Sequence, residues 1–545
     1  MLLLQASLQR NSPYPQDVGI NFSKTLKLII KFNMKKTKLY FILFLLQNIC
    51  FSQSPSIEWQ KTFGGSDDDR GRDIIQTTDG GYIATGYSAS TDGNVTENLG
   101  LHDIWIVKLN STGAIEWQKT IGGTDNEQAN EIQQTSDGGY IVSGWTASNN
   151  GDIGTNYGGS DYWVIKLDVL GNIQWEKNFG GTSADFGVSI KQTSEGGFIV
   201  GGITSSNDID LTGDPRFSSD FWIVKINPIG NIEWQKVLGG TFWDYFFDIE
   251  QTSDGGYILG GRVSSNDGDI TSNQGGFDSW IVKLSPVGVI EWQKTFGGSA
   301  NDYLFDIQET LDGGYITAGF TNSSDGDVSV NQGNGDCWIV KFSATGVIEW
   351  EKTFGGTNHD EANKVYQTND GNYIVIGYTN SSDGDITFNH GSYDFWVVKL
   401  NTIGNILWQK TLGGTEDDYG YRIQQSSDGG YITLGYTNSI NGDVTQNNGL
   451  NDLWIVKLEE EALSTNSVEK DILLVYPNPT TSILNIKTTT EVTFDKFLIT
   501  DFSGKLVLEQ KLQNSKIDIQ KLKSGVYFLH LKAGDLIHRI KFVKH

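Results

Sequence analysis

The sequence predicts an all-β protein: a seven-bladed β-propeller followed by a smaller strand-built C-terminal domain. Three observations carry that expectation. From residue 56 to residue 458 the chain repeats every 58 or 59 residues, with the tryptophans of "EWQKT" and its variants at Trp59, Trp117, Trp175, Trp234, Trp292, Trp350 and Trp408. A second series, each two residues after an aspartate, falls at Trp105, Trp163, Trp222, Trp280, Trp338, Trp396 and Trp454. Finally, Gly is abundant at 66 residues and Pro scarce at 8, beside 16 Trp, 21 Tyr and 27 Phe. That is the composition of short strands, tight turns and aromatic cores, and it excludes a disordered chain.

Each unit reads as four strands. In the fifth, "YLFDIQET" runs into the turn "LDGG" and then "YITAGFTN". The loop "SSDGDVSVNQGNGD" leads to "CWIVKFS", and the turn "ATG" to "VIEWEKTFGG". Gly-rich turns between short apolar runs are hairpin signals, and four antiparallel strands per repeat make a propeller blade. Bulky side chains on both faces, such as Trp338 and Val340 against Ile339, fit sheets buried between neighbours. The repeat region opens on a fourth strand (57–62) and closes on a third (454–458). Laid side by side, these complete the seventh blade, close the ring and remove two open sheet edges. The repeat resembles bacterial propeller repeats in general, lacking the WD40 signature and exceeding the WD40 and kelch periods.

Five segments are expected. Residues 1–33 look like neither a signal nor a domain, and translation is expected to begin at Met34. There, "MKKTKLYFILFLLQNICFSQ" has the basic and apolar regions of a secretory signal peptide over 34–52. The propeller occupies 53–461, a linker 462–469 and the C-terminal domain 470–545. Cys50 falls in the leader, so Cys337 is a lone, partly buried thiol and no disulfide framework exists. His102, His359 and His390 occupy different places in their repeats and form no zinc site. The formal charge of −26 divides into +6 on residues 1–52, +4 on 462–545 and −36 on the repeats. Such a surface excludes nucleic acid as a partner, and no transmembrane span is expected in the mature chain.

The repeated acids offer two candidate sites. Ten residues after each "EW" tryptophan stands Asp69, Glu127, Asp185, Asp244, Asp302, Asp360 or Asp418. These could ring a channel mouth and gather cations, or cap backbone amides at each crossing. Asp103 and Lys108, with their equivalents, read as architecture because every unit has them. The long loops, such as "SNDGDITSNQGG", place hard oxygens on a tight turn, and calcium is the possible ligand, at Asp267, Asp269, Asp325, Asp327, Asp383 and Asp385. The competing reading is an Asp-Gly turn held by its own hydrogen bonds. HExxH, GxSxG and phosphate-binding Gly loops are absent, so no catalytic residue is assigned. Units three and four break the pattern with Pro215, Arg216 and Phe217, and with Trp243, Tyr245 and Phe246.

After residue 461 the composition changes to short alternating strands without the repeat tryptophans. "YPNP" (Tyr476, Pro477, Asn478, Pro479), the D-x-x-G turn of Asp501 and Gly504, "SGVYFL" with Gly525 and Tyr527, and a terminal "KFVK" follow. Together these resemble the type A C-terminal sorting domain of the Bacteroidetes type IX secretion system. The resemblance implies a compact β-sandwich recognised by the secretion machinery at the outer membrane, and a secreted or cell-surface product reached through the periplasm. The expected activity is non-catalytic binding or adhesion to an extracellular glycan or protein. The alternative is a polysaccharide hydrolase or lyase on the same scaffold.

Overall fold

A computed structural model describes residues 54–211 and 218–461, and most of 474–544 in short stretches. The expected leader and linker, Pro215, Arg216, Phe217, Pro477, Asn478, Pro479 and Gly504 lie outside the described residues.

The first strand, β1 (Ile57–Phe63), stands apart from the sheet that follows it in sequence. β2 (Asp69–Gln76), β3 (Tyr82–Ser88), β4 (Asp103–Leu109) and β5 (Ile115–Ile121) form one antiparallel sheet in that order. Five more sheets repeat it, with first strands Glu127–Gln134, Asp185–Gln192, Asp244–Gln251, Asp302–Glu309 and Asp360–Gln367. The seventh uses Asp418–Gln425, Tyr431–Thr437 and Asp452–Leu458, and takes β1 as its fourth strand. The register runs from Ile57 opposite Leu458 to Phe63 opposite Leu453. First strands of adjacent sheets touch around the whole circle, the seventh against β2 included, so they line the axis of a closed ring. The expected closure is therefore present.

Repeated residues hold each joint. All seven tryptophans of the second series are at most 2% exposed. Each indole N–H donates to a Gln or Glu carboxamide or carboxylate on the neighbouring outer strand, as from Trp105 to Gln118 at 2.7 Å and from Trp454 to Gln60 at 2.8 Å. The first series does a different job. Trp59 lies on the hairpin turn at Gly113, where φ is +76° and an added Cβ would stand 2.9 Å from the indole. Trp117, Trp175, Trp234, Trp292 and Trp350 cover Gly171, Gly230, Gly288, Gly346 and Gly404 in the same way, so a tryptophan staples six of the seven joints. Glycine is required there for both its backbone and its lack of side chain.

At the opposite end of each first strand, the last residue reaches one blade back. The Gln134 side-chain Oε1 accepts from the Thr78 backbone amide at 2.8 Å, and the Gln76 side-chain Oε1 closes the circle by accepting from the Ser427 amide at 2.7 Å. Lys108 is buried, with its ammonium 2.9 Å from both Asp79 and Glu116. Asp79 belongs to the DGG turn. There, burial is outweighed by the Thr77 hydroxyl, Lys108 and the Gly81 amide, which bring the carboxyl down to about 2. Cys337 is fully rather than partly buried, and burial raises its thiol well above the ordinary range.

In the C-terminal domain, Leu474–Tyr476, Ile483–Lys487 and Lys516–Asp518 make one sheet. Leu506–Lys511, Lys496–Asp501, Gly525–Ala533 and Leu536–Lys544 make the other, in that order. Leu484 and Ile517 of the first share a core with Ile499, Leu529 and Phe542 of the second. The described residues contain no helix.

Candidate functional site

The ring-lining strands share a β-bulge, in β2 between Gly71 and Asp73, and at the same place in the other six. A bulge interrupts the two-residue alternation and re-aims side chains. Its effect is that consecutive residues, such as Arg72 and Asp73, line different chambers of the axial channel.

On the side of the long loops, aromatic rings form a collar. Ring contacts run from Tyr245 to Phe277 (5.9 Å), Tyr303 (5.7 Å) and Phe320 (4.6 Å), then through His359 (5.1 Å) to Tyr378 (6.1 Å). They continue to Tyr419 (4.8 Å) and Tyr436 (5.1 Å), over which Arg70 lies at 4.6 Å. This unbroken belt joins the fourth blade to the first through the fifth, sixth and seventh. Beneath it lies a chamber of about 360 Å³, lined by Arg72, Asn130, Phe247, Phe305, Glu361, Asn363, Tyr378 and Tyr421, among others. Glu361 is nearly buried and accepts from the His359 ring at 3.3 Å.

A ring of charge divides this chamber from a second of about 270 Å³ on the other side. Asp73 pairs with Arg422 at 3.3 Å. Glu131 pairs with Lys191, which lies 3.8 Å from Asp248, and Lys364 joins Asp248 (3.8 Å) to Asp306 (2.5 Å). These acids also tie blades together, since Asp73 accepts from the Ile132 amide and Asp306 from Val365. Burial is the largest influence on Asp248, but Lys191 and Lys364 overcome it and hold the carboxyl below its ordinary range. Burial lifts Glu250, which lacks so close a cation. The waist is thus a nearly balanced ion network, suited to fixing the ring.

Of the two readings of Asp69 and its equivalents, the structure has the caps at the crossings and, among the described residues, no open channel mouth. All seven are fully buried at the crossings. Asp69 accepts from the Ser88 hydroxyl, the Ser90 hydroxyl and the Gly65 amide, which is the capping role. Each abuts an aspartate from the preceding blade: Asp103 and Glu127 both flank Gly122. Burial, then the neighbouring acid, lifts Asp103 to about 6, and burial with Asp185 lifts Asp161 to about 7.

The loop aspartates also face amides. Asp267, Asp325 and Asp383 accept from the backbone of Thr241, Ser299 and Thr357 at 2.8–2.9 Å. Asp269, Asp327 and Asp385 accept from Gly239, Gly297 and Gly355 at 3.2–3.3 Å. Among the described residues, no group of three or more His, Cys, Asp or Glu side chains is arranged to hold a metal. Of the irregular fourth-unit aromatics, Trp243 is exposed, Tyr245 joins the collar and Phe246 is buried.

Reading the sequence missed the collar because its residues change identity from unit to unit, although the column of Tyr87, Trp145, Phe320, Tyr378 and Tyr436 is aromatic in five of the seven units. The signal the sequence did carry was the irregularity of the fourth unit at Trp243, Tyr245 and Phe246.

In the C-terminal domain, the Lys505 amide donates to the Asp501 carboxylate at 3.1 Å. Tyr527 stacks on Phe542 at 5.6 Å and donates to the Lys523 carbonyl at 2.9 Å. Gly525 opens that strand, and Tyr476 ends the first strand of the domain.

Residues 474–545 match the family described as the secretion system C-terminal sorting domain. The chain is 24% identical over 380 residues to the regulatory protein FlaEY of Caulobacter vibrioides, covering 61% of this chain and 38% of that protein. It is 22% identical over 446 residues to the uncharacterized WD repeat-containing protein L264 of Acanthamoeba polyphaga mimivirus, covering 60% and 31%. The chain thus spans roughly a third of the length of these relatives. Among solved structures, PorZ, a surface component of the type IX secretion system of Porphyromonas gingivalis, aligns with a TM-score of 0.36 and 10% identity over 89% of this chain and 60% of that one. Sqt1 from Chaetomium thermophilum aligns with a TM-score of 0.39 and 11% identity, over 75% and 100%.

Proposed function

We propose that this chain, a type IX secretion cargo by its sorting domain at 474–545, is a non-catalytic binding protein for an extracellular glycan or protein. The sorting domain sends it to the cell surface or the medium. Export begins, in this reading, with a signal peptide at 34–52 after a start at Met34. The propeller of 53–461 is the working part, joined to the sorting domain by 462–469.

One observation supports the binding assignment: the aromatic collar over a chamber of about 360 Å³. That volume lies within the range of small-molecule sites, about 300–1,000 Å³. Flat rings with Asn130, Asn363 and Glu361 among them offer stacking faces and hydroxyl partners together. Asn130 and Asn363 also donate to the Gly187 and Gly420 carbonyls of the next blade, whereas the collar tyrosines and Glu361 take no part in the repeated joints, which supports a role for them beyond architecture.

The test is retention of the purified chain on immobilised glycans and surface proteins, compared with a Tyr303→Ala/Tyr419→Ala double variant. Retention lost in the variant, with its melting transition preserved, supports the reading. Retention unchanged would place binding elsewhere and overturn it.

A further inference from the structure

Residues 53–461 contain five arginines, at positions 70, 72, 216, 262 and 422. All four described ones stand at the axial channel, within a repeat region whose net charge is −36. Arg70 is paired with Asp68 at 3.0 Å and Arg422 with Asp73. Arg72 and Arg262 are different.

Arg262 lies over four rings, at 4.0 Å from the centroid of Tyr303, 4.7 Å from Tyr245, 5.0 Å from Phe277 and 5.6 Å from Phe247. Its Nε is buried without a hydrogen-bond partner, and no acid lies within ion-pair distance among the described residues. Burial brings the guanidinium below its ordinary range. Arg72 lines the chamber itself. It rests over Tyr421 at 5.1 Å and Tyr87 at 5.6 Å, and its Nε is likewise buried and unpartnered.

The fold does not require either cation. At the register of Arg262 the other blades carry Tyr87, Trp145, Ile203, Phe320, Tyr378 and Tyr436, all without charge. At the bulge position of Arg72 they carry Asn130, Val188, Phe247, Phe305, Asn363 and Tyr421. An apolar ring would fill either place without leaving a buried donor unsatisfied. The aromatic faces stand against each guanidinium with no acid in ion-pair distance among the described residues, Glu361 acting on Arg262 only at longer range, and a planar fork of donors matches a carboxylate in two parallel hydrogen bonds.

We propose that the collar takes an acidic saccharide, with Arg72 in the chamber wall and Arg262 on the rim receiving its carboxylate and the tyrosine and phenylalanine rings stacking on the sugar. This rests on the collar being the binding site. It narrows the ligand from glycans or proteins in general to uronate-bearing sugars. Glu361, beside His359 and Tyr378, accepts from sugar hydroxyls, and its position on the sixth blade leaves the first and fourth to bind the anion.

The experiment is isothermal titration of the full chain with uronic-acid trisaccharides (glucuronate, galacturonate and mannuronate series), the matching neutral trisaccharides, and acetate and glutamate. Saturable binding of at least one uronate series is expected, with the neutral partner at least tenfold weaker. Binding should weaken as salt rises, and Arg72→Gln and Arg262→Gln should each lower affinity at least tenfold with an unchanged melting temperature. Equal binding of neutral and acidic series would overturn the anion assignment while leaving the collar a glycan site. So would full affinity in both variants. Acetate or glutamate binding as tightly as the sugar would show a general carboxylate site and overturn the saccharide assignment. Failure of every uronate series to bind would overturn the proposal. In that case, protein retained in the collar-dependent assay above would show that the broader reading survives.

Discussion

Truncating Gln60 to alanine tests whether the first strand completes the last blade in solution. Gln60 donates through its amide to the Asp443 carbonyl and accepts from Trp454 Nε1, partners 383 and 394 residues away. Gln118 makes the same pair of contacts to Asn94 and Trp105 inside the first blade. In each case truncation strands an indole N–H of a fully buried tryptophan and a loop carbonyl with some access to water. An unsatisfied buried group costs about 1–3 kcal/mol, and the loop carbonyl recovers part of its loss from solvent, so we expect about 2 kcal/mol for each variant. With an unfolding entropy of ~2.1 cal/mol/K per residue over roughly 400 residues, that lowers the melting temperature by about 2–3 °C. Differential scanning calorimetry of the two purified variants beside the parent provides the measurement. Equal shifts are the expected result, because the two glutamines differ only in whether their joint closes through the chain or across its ends. A shift for Gln118→Ala with none for Gln60→Ala would refute the closure. Removing residues 56–65 altogether should abolish the cooperative transition.

Stability should peak in mildly acidic buffer. Asp103, Asp278, Asp336 and Asp452 are raised to about 6 and Asp161 to about 7, chiefly by burial, so their contribution is full below the unfolded value near 3.8 and is lost as pH rises through 6–7. Asp79, Asp137 and Asp254 are held at about 2, where burial is outweighed by hydroxyl, lysine and amide partners, so theirs is lost as pH falls from about 4 toward 2. A melting temperature that climbs steadily from pH 5 to 8 would contradict this. Millimolar calcium against EDTA should move the transition by less than about 1 °C, since the loop aspartates already accept from backbone amides. A rise of several degrees, abolished by Asp325→Asn with Asp327→Asn, would make those loops metal sites. Deleting 470–545 should retain the protein in the periplasm, as fractionation would show, and its normal appearance in the medium would contradict the sorting role of 474–545.

The architecture was legible because it is written seven times. Trp105, Lys108, Asp69 and the DGG turns recur at fixed spacing, and each proved to be part of a joint between strands or blades. Periodicity could not say what each joint does. Asp69 and Asp103 looked alike as conserved-position acids within the chain, yet one accepts from three donors while the other keeps a buried oxygen without a partner. The collar was illegible for the converse reason: Arg72 and Arg262 each occur once in their column. Only the bulge, which leaves no mark in composition, decides that Arg72 and Asp73 face separate chambers. The sorting domain was readable from short motifs, and the family match at 474–545 covers them.

The strand that opens the ring also imposes a timetable. β1 has no partner until Asp452–Leu458 arrives, nearly 400 residues later, and the sorting domain's first strand begins only at Leu474. A chain interrupted anywhere before the seventh unit keeps two unpaired sheet edges and never displays the sorting domain. A finished ring and a readable address therefore become available almost together. Possession of the tail certifies that every blade has already been made.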